Sequence, residues 1–420
     1  MIFFNWLLAF IKLSFFCQCR ADLQDIKDIM MAKIVPINYG TLPKIMKAVG
    51  FYKYLPISDV NSLIDLEVSI PKLESNQVLI EVKAISVNPI DTKIRASKPQ
   101  IKSFPRILGW DGAGTIVARG VKTNVFNTGD DVIFTGDISK NGSNCQYVAL
   151  EELFVAPKPK NLTFEQAAAM PLTTVTAYEA IYDRLLLSAK DKGKSLLIIN
   201  SGGGVGSVAT QLAANLNLRV IGTVSRIETE EFSKKNGADV VIKHTHDLIP
   251  QLEVHGFSNG VDYILANYDP YPYWDVMMKA IKPQGKICLI VDSSGLVDIR
   301  PLKDKSITLV SEMMATRIKY DTEDKGRHHE ILKIASKMFD DGILKSTLTK
   351  TLSPINAATL REAHKIIEEK RMKSQEDVTM KRTHIISRGK QVKAAEIESY
   401  NKITIRVVST YLIALIHRVL

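Results

Sequence analysis

Residues 195–215 read SLLIINSGGGVGSVATQLAAN. An apolar run, Leu196–Ile199, stops at Asn200; glycines follow at 202, 203, 204 and 206, then a helical pattern through Val208, Leu212 and Ala213. The spacing predicts strand, tight turn and helix. Such a turn presents backbone N–H groups and a helix N-terminus to a dinucleotide pyrophosphate. Gly203 lets the backbone approach the phosphates and Gly206 lets helix and strand pack closely. Ser201 stands where the first glycine usually sits, so the pattern is S-x-G-x-x-G. A plain left-handed turn between strand and helix is the competing reading. The next strand, predicted at Arg219–Val224, ends on Ser225-Arg226. In NAD-binding turns an acidic residue near that place holds the ribose 2′-hydroxyl. Here no carboxylate repels a 2′-phosphate and Arg226 can pair with one, which favours NADPH; a solvated surface cation is the alternative.

The elements around this turn must position it. The chain has 420 residues and is 45% hydrophobic, enough for two or three domains with sizeable cores. Its formal charge of +10 is unevenly spread: +6 falls on residues 381–420, +2 on residues 1–45 and +2 on everything between. Basicity confined to the ends excludes a nucleic-acid-binding body. Four cysteines, Cys17, Cys19, Cys145 and Cys288, form neither a disulfide framework nor a zinc lobe, which suits a reducing compartment and a cytoplasmic protein. Residues 46–170 read as mostly β, with strands at Val78–Ala84, Gly114–Ala118 and Asp131–Phe134. Residues 172–311 alternate strand and helix, as a doubly wound parallel sheet requires. Residues 312–380 are mixed, with helices at His328–Asp340 and Asn356–Arg371.

The ends are atypical. Ile2–Phe16 is apolar except for Asn5, Lys12 and Ser14. It lacks a basic n-region and is short for a membrane span, so a productive start at Met46 is favoured over a signal peptide, and membrane association is not expected.

Seven ordered segments carry a family likeness: SVNPIDTKIR (86–95), ILGWDGAGTI (107–116), GDDVIF (129–134), AAAMPLTTVTAYEAI (167–181), SGGGVGS, TVSRIETEEF and TLSPINAATLREAHKII (351–367). Over about residues 46–370 the chain closely resembles the medium-chain dehydrogenase/reductase superfamily, in its quinone-oxidoreductase-like branch within the group labelled zinc-type alcohol dehydrogenase-like. The resemblance implies a GroES-like β-rich catalytic domain, 46–171 plus 312–380, with an inserted Rossmann cofactor domain, 172–311, and an active site between them. It leaves 1–45 as an N-terminal extension and 381–420 as a basic tail. Dimers are frequent in the family, which implies a homodimer.

Zinc-dependent members ligate metal through Cys, His and Cys; the aligned residues here are Asn88, Trp110 and Leu172, so no zinc is expected. Without a Lewis acid to acidify an alcohol, hydride donation from NADPH to a small quinone or α,β-unsaturated carbonyl is the easier reaction. A zinc-type alcohol dehydrogenase and a non-catalytic NADPH-binding protein are the alternatives. The resemblance implies that Asn88 and Asp91 of the NPID turn face the nicotinamide, with Asn88 binding the acceptor oxygen or a water; the competing reading makes Asp91 a helix cap. Lys93 replaces the tyrosine common in related quinone reductases. Thr176 approaches the nicotinamide, and Asn267 and Asp292 close two strands at their ligand-binding ends. Ser201, Gly203, Gly204, Val205, Gly206, Ser225 and Arg226 complete the cofactor set. The histidine pairs His244/His246 and His328/His329 read as surface residues, and Trp110 and Phe104 as core or cleft wall. The family's usual final strand is missing after Ile367; either Ile403–Val408 replaces it or the sheet edge is left unpaired.

Overall fold

The computed structural model describes residues 42–96, 98–369 and, for the backbone alone, 402–405. The apolar N-terminal run and most of the basic tail lie outside the described residues.

Eight strands build the first part of the chain: β1 (Ile45–Lys53), β2 (Ile64–Ser69), β3 (Gln77–Val87), β4 (Ile101–Ile107), β5 (Asp111–Arg119), β6 (Asp131–Thr135), β7 (Tyr147–Glu151) and β8 (Val155–Pro157). Six parallel strands follow: β9 (Ser195–Ile199), β10 (Arg219–Val224), β11 (Val240–Lys243), β12 (Val261–Ala266), β13 (Ile281–Leu289) and β14 (Thr308–Ser311). Two short strands come last among the described residues, β15 (Lys350–Leu352) and β16 (Lys402–Ile405).

The parallel sheet has the order β11-β10-β9-β12-β13-β14. The order reverses between β9 and β12, which opens a crevice at the carboxyl ends of those strands. Strand β9 is buried along its whole length because helices cover both faces. Leu196 and Ile198 enter one core with Val208 and Leu212; Leu197 and Ile199 enter the other with Ile264 and Trp274. Strict alternation was not needed to predict it, since a continuous apolar run is what a doubly covered strand requires.

The β-rich part carries a three-stranded sheet, β2-β1-β4, and a larger sheet in the order β15-β16-β3-β5-β6-β8, with β7 also pairing β3. Its core joins Phe51, Ile80 and Phe134 to Leu360 and Ala363 of the helix Ala357–Glu368. The helix Arg327–Asp340 serves both parts. Its Ile331 and Leu332 pack with Ile133 and Ala156, whereas Ala335 and Phe339 pack in the core that holds Leu212. The missing final strand is supplied late: Lys402–Ile405 pairs parallel with β3 at Ala84–Val87 and antiparallel with β15.

Strand β13 runs through a Pro283-Gln284-Gly285 turn signal. Ile281 already pairs with Val261, and the ladder resumes at Tyr263–Lys286 after an irregular stretch in which Gln284 takes φ +61°. The Pro283-Gln284-Gly285 signal therefore marks an interruption inside a strand.

Candidate active site

A cleft of about 820 Å³ lies at the carboxyl ends of β9, β12 and β13, walled on its other side by the helix Pro89–Arg95 and by Pro56–Ser58. The turn after β9 forms its floor. Asn200 adopts φ +63°, and its N–H donates to Thr223 Oγ1 at 3.0 Å. Asn200, Gly203, Gly204, Val205 and Gly206 all line the cleft. A Cβ on Gly206 would stand 2.3 Å from the Asn200 carbonyl oxygen, so only glycine lets the helix Gly204–Asn215 start this close to the strand. Ser201 does not line the cleft. It is fully buried, its N–H donates to the Thr223 carbonyl at 3.0 Å, and its Oγ lies 2.7 Å from Ser233 Oγ. The serine is thus a tie between the turn, β10 and the helix Ile227–Lys235, a use that a glycine could not serve.

Ser225 and Arg226 follow directly on β10, the neighbour of β9, and lie outside the cleft lining. Arg226 is half-buried at the N-cap of Ile227–Lys235, where its carbonyl accepts from Thr229 Oγ1 at 2.8 Å. The glycine turn is pressed against that helix: a Cβ on Gly202 would meet the Thr229 side chain at 2.9 Å.

The NPID segment opens the helix Pro89–Arg95 with proline in its first turn. Asn88 and Lys93 line the cleft; Asp91 does not. The Asp91 carboxylate is buried and faces backbone, accepting from the Asn88 N–H at 2.8 Å and from the Gly109 N–H at 3.0 Å. Burial pushes its pKa up to about 7, against the lowering effect of those two donors. Asp91 caps this helix and fixes Asn88. Asn88 donates through Nδ2 to Asp111 Oδ2 at 3.0 Å, and Asp111 Oδ1 accepts from the Leu172 N–H at 3.1 Å.

These contacts occupy the positions aligned with zinc ligands. The Asn88 amide is tied to Asp111, the Trp110 indole N–H reaches the Lys140 carbonyl at 3.4 Å, and Leu172 has no donor atom in its side chain. Among the described residues no three His, Cys, Asp or Glu side chains gather as a metal site. Both described cysteines are free and buried, and burial pushes each thiol up to about 12.

Thr176 lines the cleft with its hydroxyl donating back to the Leu172 carbonyl at 2.8 Å. Opposite it, Asn267 stands one residue beyond β12. It is 3% exposed, and neither its Oδ1 nor its Nδ2 has a partner among the described residues. Buried amides are almost always paired, so an orphaned one on a cleft wall calls for a ligand. Asp292, beyond β13, lies on the rim with its side chain 97% exposed, and Lys93 Nζ sits 3.6 Å from it.

Two family models match the chain. The alcohol dehydrogenase GroES-like domain covers residues 74–160, and the zinc-binding dehydrogenase domain covers residues 204–324. A zinc-type alcohol dehydrogenase-like protein of Staphylococcus epidermidis is 40% identical over 330 residues, 78% of this chain and 97% of that relative. This chain belongs to the zinc-type alcohol dehydrogenase-like family of the medium-chain dehydrogenases/reductases. A solved structure of a zinc-dependent alcohol dehydrogenase-type protein from Rhizobium etli matches with TM-score 0.75 and 34% identity, over 86% of this chain and 98% of that one. The chloroplastic NADPH-dependent alkenal/one oxidoreductase of Arabidopsis thaliana is 33% identical over 259 residues, 59% of this chain and 63% of that relative. The chain is accordingly an oxidoreductase of this family, with its GroES-like and Rossmann-type parts.

Family membership sharpens what sequence reasoning missed. Asp111 carries no local signal, because its partners come from 23 and 61 residues away. Asn200 read only as the end of a strand. Ile57, Ser58, Arg95 and Glu368 line the far end of the cleft with no local signal. Two expectations are corrected. His328 is fully buried, with Nδ1 3.2 Å from Thr135 Oγ1 and Nε2 2.8 Å from the Met314 carbonyl; it lies on the inner face of an amphipathic helix. Phe104 is 82% exposed on β4, far from a core role. No helix among the described residues is long and apolar enough to cross a membrane.

Proposed function

We propose that this protein is a zinc-independent, NADPH-dependent reductase that transfers hydride to a small quinone or α,β-unsaturated carbonyl. The observation that carries the reading is the unpaired Asn267 amide on the cleft wall beside the glycine turn. A primary carboxamide such as that of nicotinamide matches it donor for acceptor and acceptor for donor. The residues present therefore fit a nicotinamide dinucleotide. Gly203, Gly204, Val205 and the N-terminus of Gly204–Asn215 would hold its pyrophosphate, Thr176 and Asn267 its nicotinamide, and Ser225-Arg226 a ribose 2′-phosphate. When bound, such a cofactor supplies the hydride.

The protein's own contribution is positioning and electrostatics. Apolar Ile57, Ile90, Leu172 and Ile367 exclude water from the acceptor. Asn88, fixed by Asp91 and Asp111, orients the acceptor or a water at the nicotinamide end. Lys93, on this wall, is paired with Asp292 across the mouth of the cleft, and solvent supplies the proton. Zinc independence is supported by the donor chemistry: an amide committed to Asp111, an indole and an aliphatic chain do not make a zinc site. The Arabidopsis relative, an NADPH-dependent alkenal/one oxidoreductase by name, agrees with this substrate class.

The test is NADPH oxidation with a panel of quinones and enals, in the presence and absence of a chelator. Turnover that survives chelation is expected. Silence across the panel, or activity restored only by zinc, overturns the reading.

A further inference from the structure

Among the described residues, the charged side chains that line the cleft are four: Lys93, Arg95, Asp292 and Glu368. They form two opposite-charge pairs. Arg95 is buried; its guanidinium is bonded to the Glu368 carboxylate, to the Leu55 carbonyl and, through Nε, to His364 Nδ1 at 3.2 Å. These contacts engage all three of its nitrogens, and the Glu368 carboxylate matches its charge. Lys93 is different. It is half-exposed on the rim, and the charge opposite it is Asp292, 3.6 Å away, reaching from the loop after β13 across the mouth of the cleft. The remaining lining is apolar or uncharged.

We propose that Asp292 sets the charge selectivity of this cleft: by neutralising Lys93 it makes the acceptor wall net neutral, so that the site takes an uncharged acceptor and discriminates against one bearing a sulfonate, carboxylate or phosphate. This rests on the reductase reading for the identity of the acceptor, not for the charge of the wall. An anionic acceptor entering beside Lys93 meets the Asp292 carboxylate at the same mouth. With the two charges offsetting each other, the anion finds no net attraction at the mouth and still loses hydration against the apolar walls. A planar uncharged acceptor pays neither cost and gains the apolar walls. Removing the Asp292 charge leaves Lys93 as an uncompensated cation at the mouth and reverses the preference. The group is solvent-exposed, so the effect is modest and screened by salt.

The probes are 1,4-naphthoquinone and 1,4-naphthoquinone-2-sulfonate, measured by fluorescence quenching against the NADP⁺-saturated protein, so that no turnover is needed. The readout is the ratio of the two affinities. The wild-type protein prefers the uncharged probe. Asp292→Asn shifts the ratio toward the sulfonate by about fivefold at low salt, the size of an exposed ion-pair effect, and the shift collapses in 0.5 M salt, roughly where the screening length falls to a few ångströms. The charge-reversed double variant Lys93→Glu/Asp292→Lys restores neutrality and returns the ratio toward wild type, which a merely structural role for Asp292 would not do. An unchanged ratio in Asp292→Asn, a shift that survives high salt, or failure of the protein to bind either probe overturns the proposal. A shifted binding ratio in a protein that never oxidises NADPH overturns the reductase reading and leaves the charge selectivity standing.

Discussion

The Asn88 side-chain amide donates to Asp111 at 3.0 Å while the other oxygen of the same carboxylate takes the Leu172 N–H at 3.1 Å. One buried acid thereby joins three chain segments at the base of the cleft: the NPID turn, the start of β5 and the helix Pro171–Tyr178. Asp111→Ala orphans two buried donors at once. The expected loss of stability is roughly 2–3 kcal/mol, the cost of unsatisfied buried groups plus a small void. Urea unfolding of the variant against wild type measures it, and a loss below the scatter of surface mutants would contradict the bridging role.

The glycine turn makes a sharper prediction. Gly206→Ala forces a methyl to within 2.3 Å of the Asn200 carbonyl oxygen, and that atom belongs to the backbone and cannot swing away. Either the helix Gly204–Asn215 shifts or the turn opens, and both separate the backbone donors that would meet a pyrophosphate. Dinucleotide affinity should fall about tenfold or more for that lost alignment. Isothermal titration with NADPH checks this, and wild-type affinity in the alanine variant would mean the close approach is not required.

Arg226 is predicted to choose between the dinucleotides. Arg226→Ala should weaken NADPH about tenfold, the scale of a charge-assisted contact to a phosphate, and leave NADH nearly unchanged. The comparison of two Kd values in one variant separates loss of a phosphate contact from general damage. Equal losses for both cofactors would show that Arg226 acts only as the cap of Ile227–Lys235.

Much of this was legible locally. A strand buried on both faces announces itself as an unbroken apolar run, and the strand Arg219–Val224 was placed to the residue. The glycine turn follows from backbone sterics, so its spacing survives in the sequence. Contacts made by polar groups from distant segments left no such trace. Ser201 read as a tolerated substitute, whereas its hydroxyl is 2.7 Å from Ser233 in a helix 32 residues away. Strand β4 left a weak trace because it exposes Ile101 and Phe104, whereas β2 alternates strictly over Ile64–Ser69 and its signal was present in the sequence. His328 misled because adjacent histidines look solvated until helix phase puts one of them inward.

The C-terminal strand bears on stability. Strand β16 fills the place between β3 and β15, pairing with both. Truncation of residues 381–420 removes it and exposes the ladder edge of β3. The melting temperature should drop by roughly 2–8 °C, as expected for the loss of about 1–2 kcal/mol in a domain of this size, with added tendency to associate. Differential scanning calorimetry of the truncated and full chains decides it; an unchanged transition would make the strand dispensable.

Alkaline pH should destabilise the protein through one buried pair. Glu179 lies in the π-helical turn Glu179–Arg184 and is fully buried; Glu312 lies just beyond β14 and is almost so. Arg317 reaches Glu179, Arg184 Nε meets Glu312 at 2.6 Å, Arg317 Nη2 stands 3.3 Å from Asp183, and Arg317 Nε stands 2.8 Å from Asp324. His328 Nε2, 3.8 Å from Glu179, is held neutral, its pKa pushed down to about 4 by burial. Burial, followed by the hydrogen bond and charge of Glu312, pushes Glu179 up to about 9 despite the two arginines. The sign follows from linkage. A carboxyl whose folded pKa exceeds its unfolded value of 4.5 binds its proton more tightly in the native state. Its stabilising effect is therefore complete below about pH 4.5 and is lost progressively as pH rises toward about 9. The melting temperature should fall across that window, by roughly 5 °C between pH 6 and pH 9. Glu312→Gln removes the neighbouring charge while keeping an acceptor and a donor, so the slope should flatten in this variant. Thermal melts of the two proteins at matched ionic strength measure the difference, and parallel slopes would refute the influence of Glu312 on Glu179.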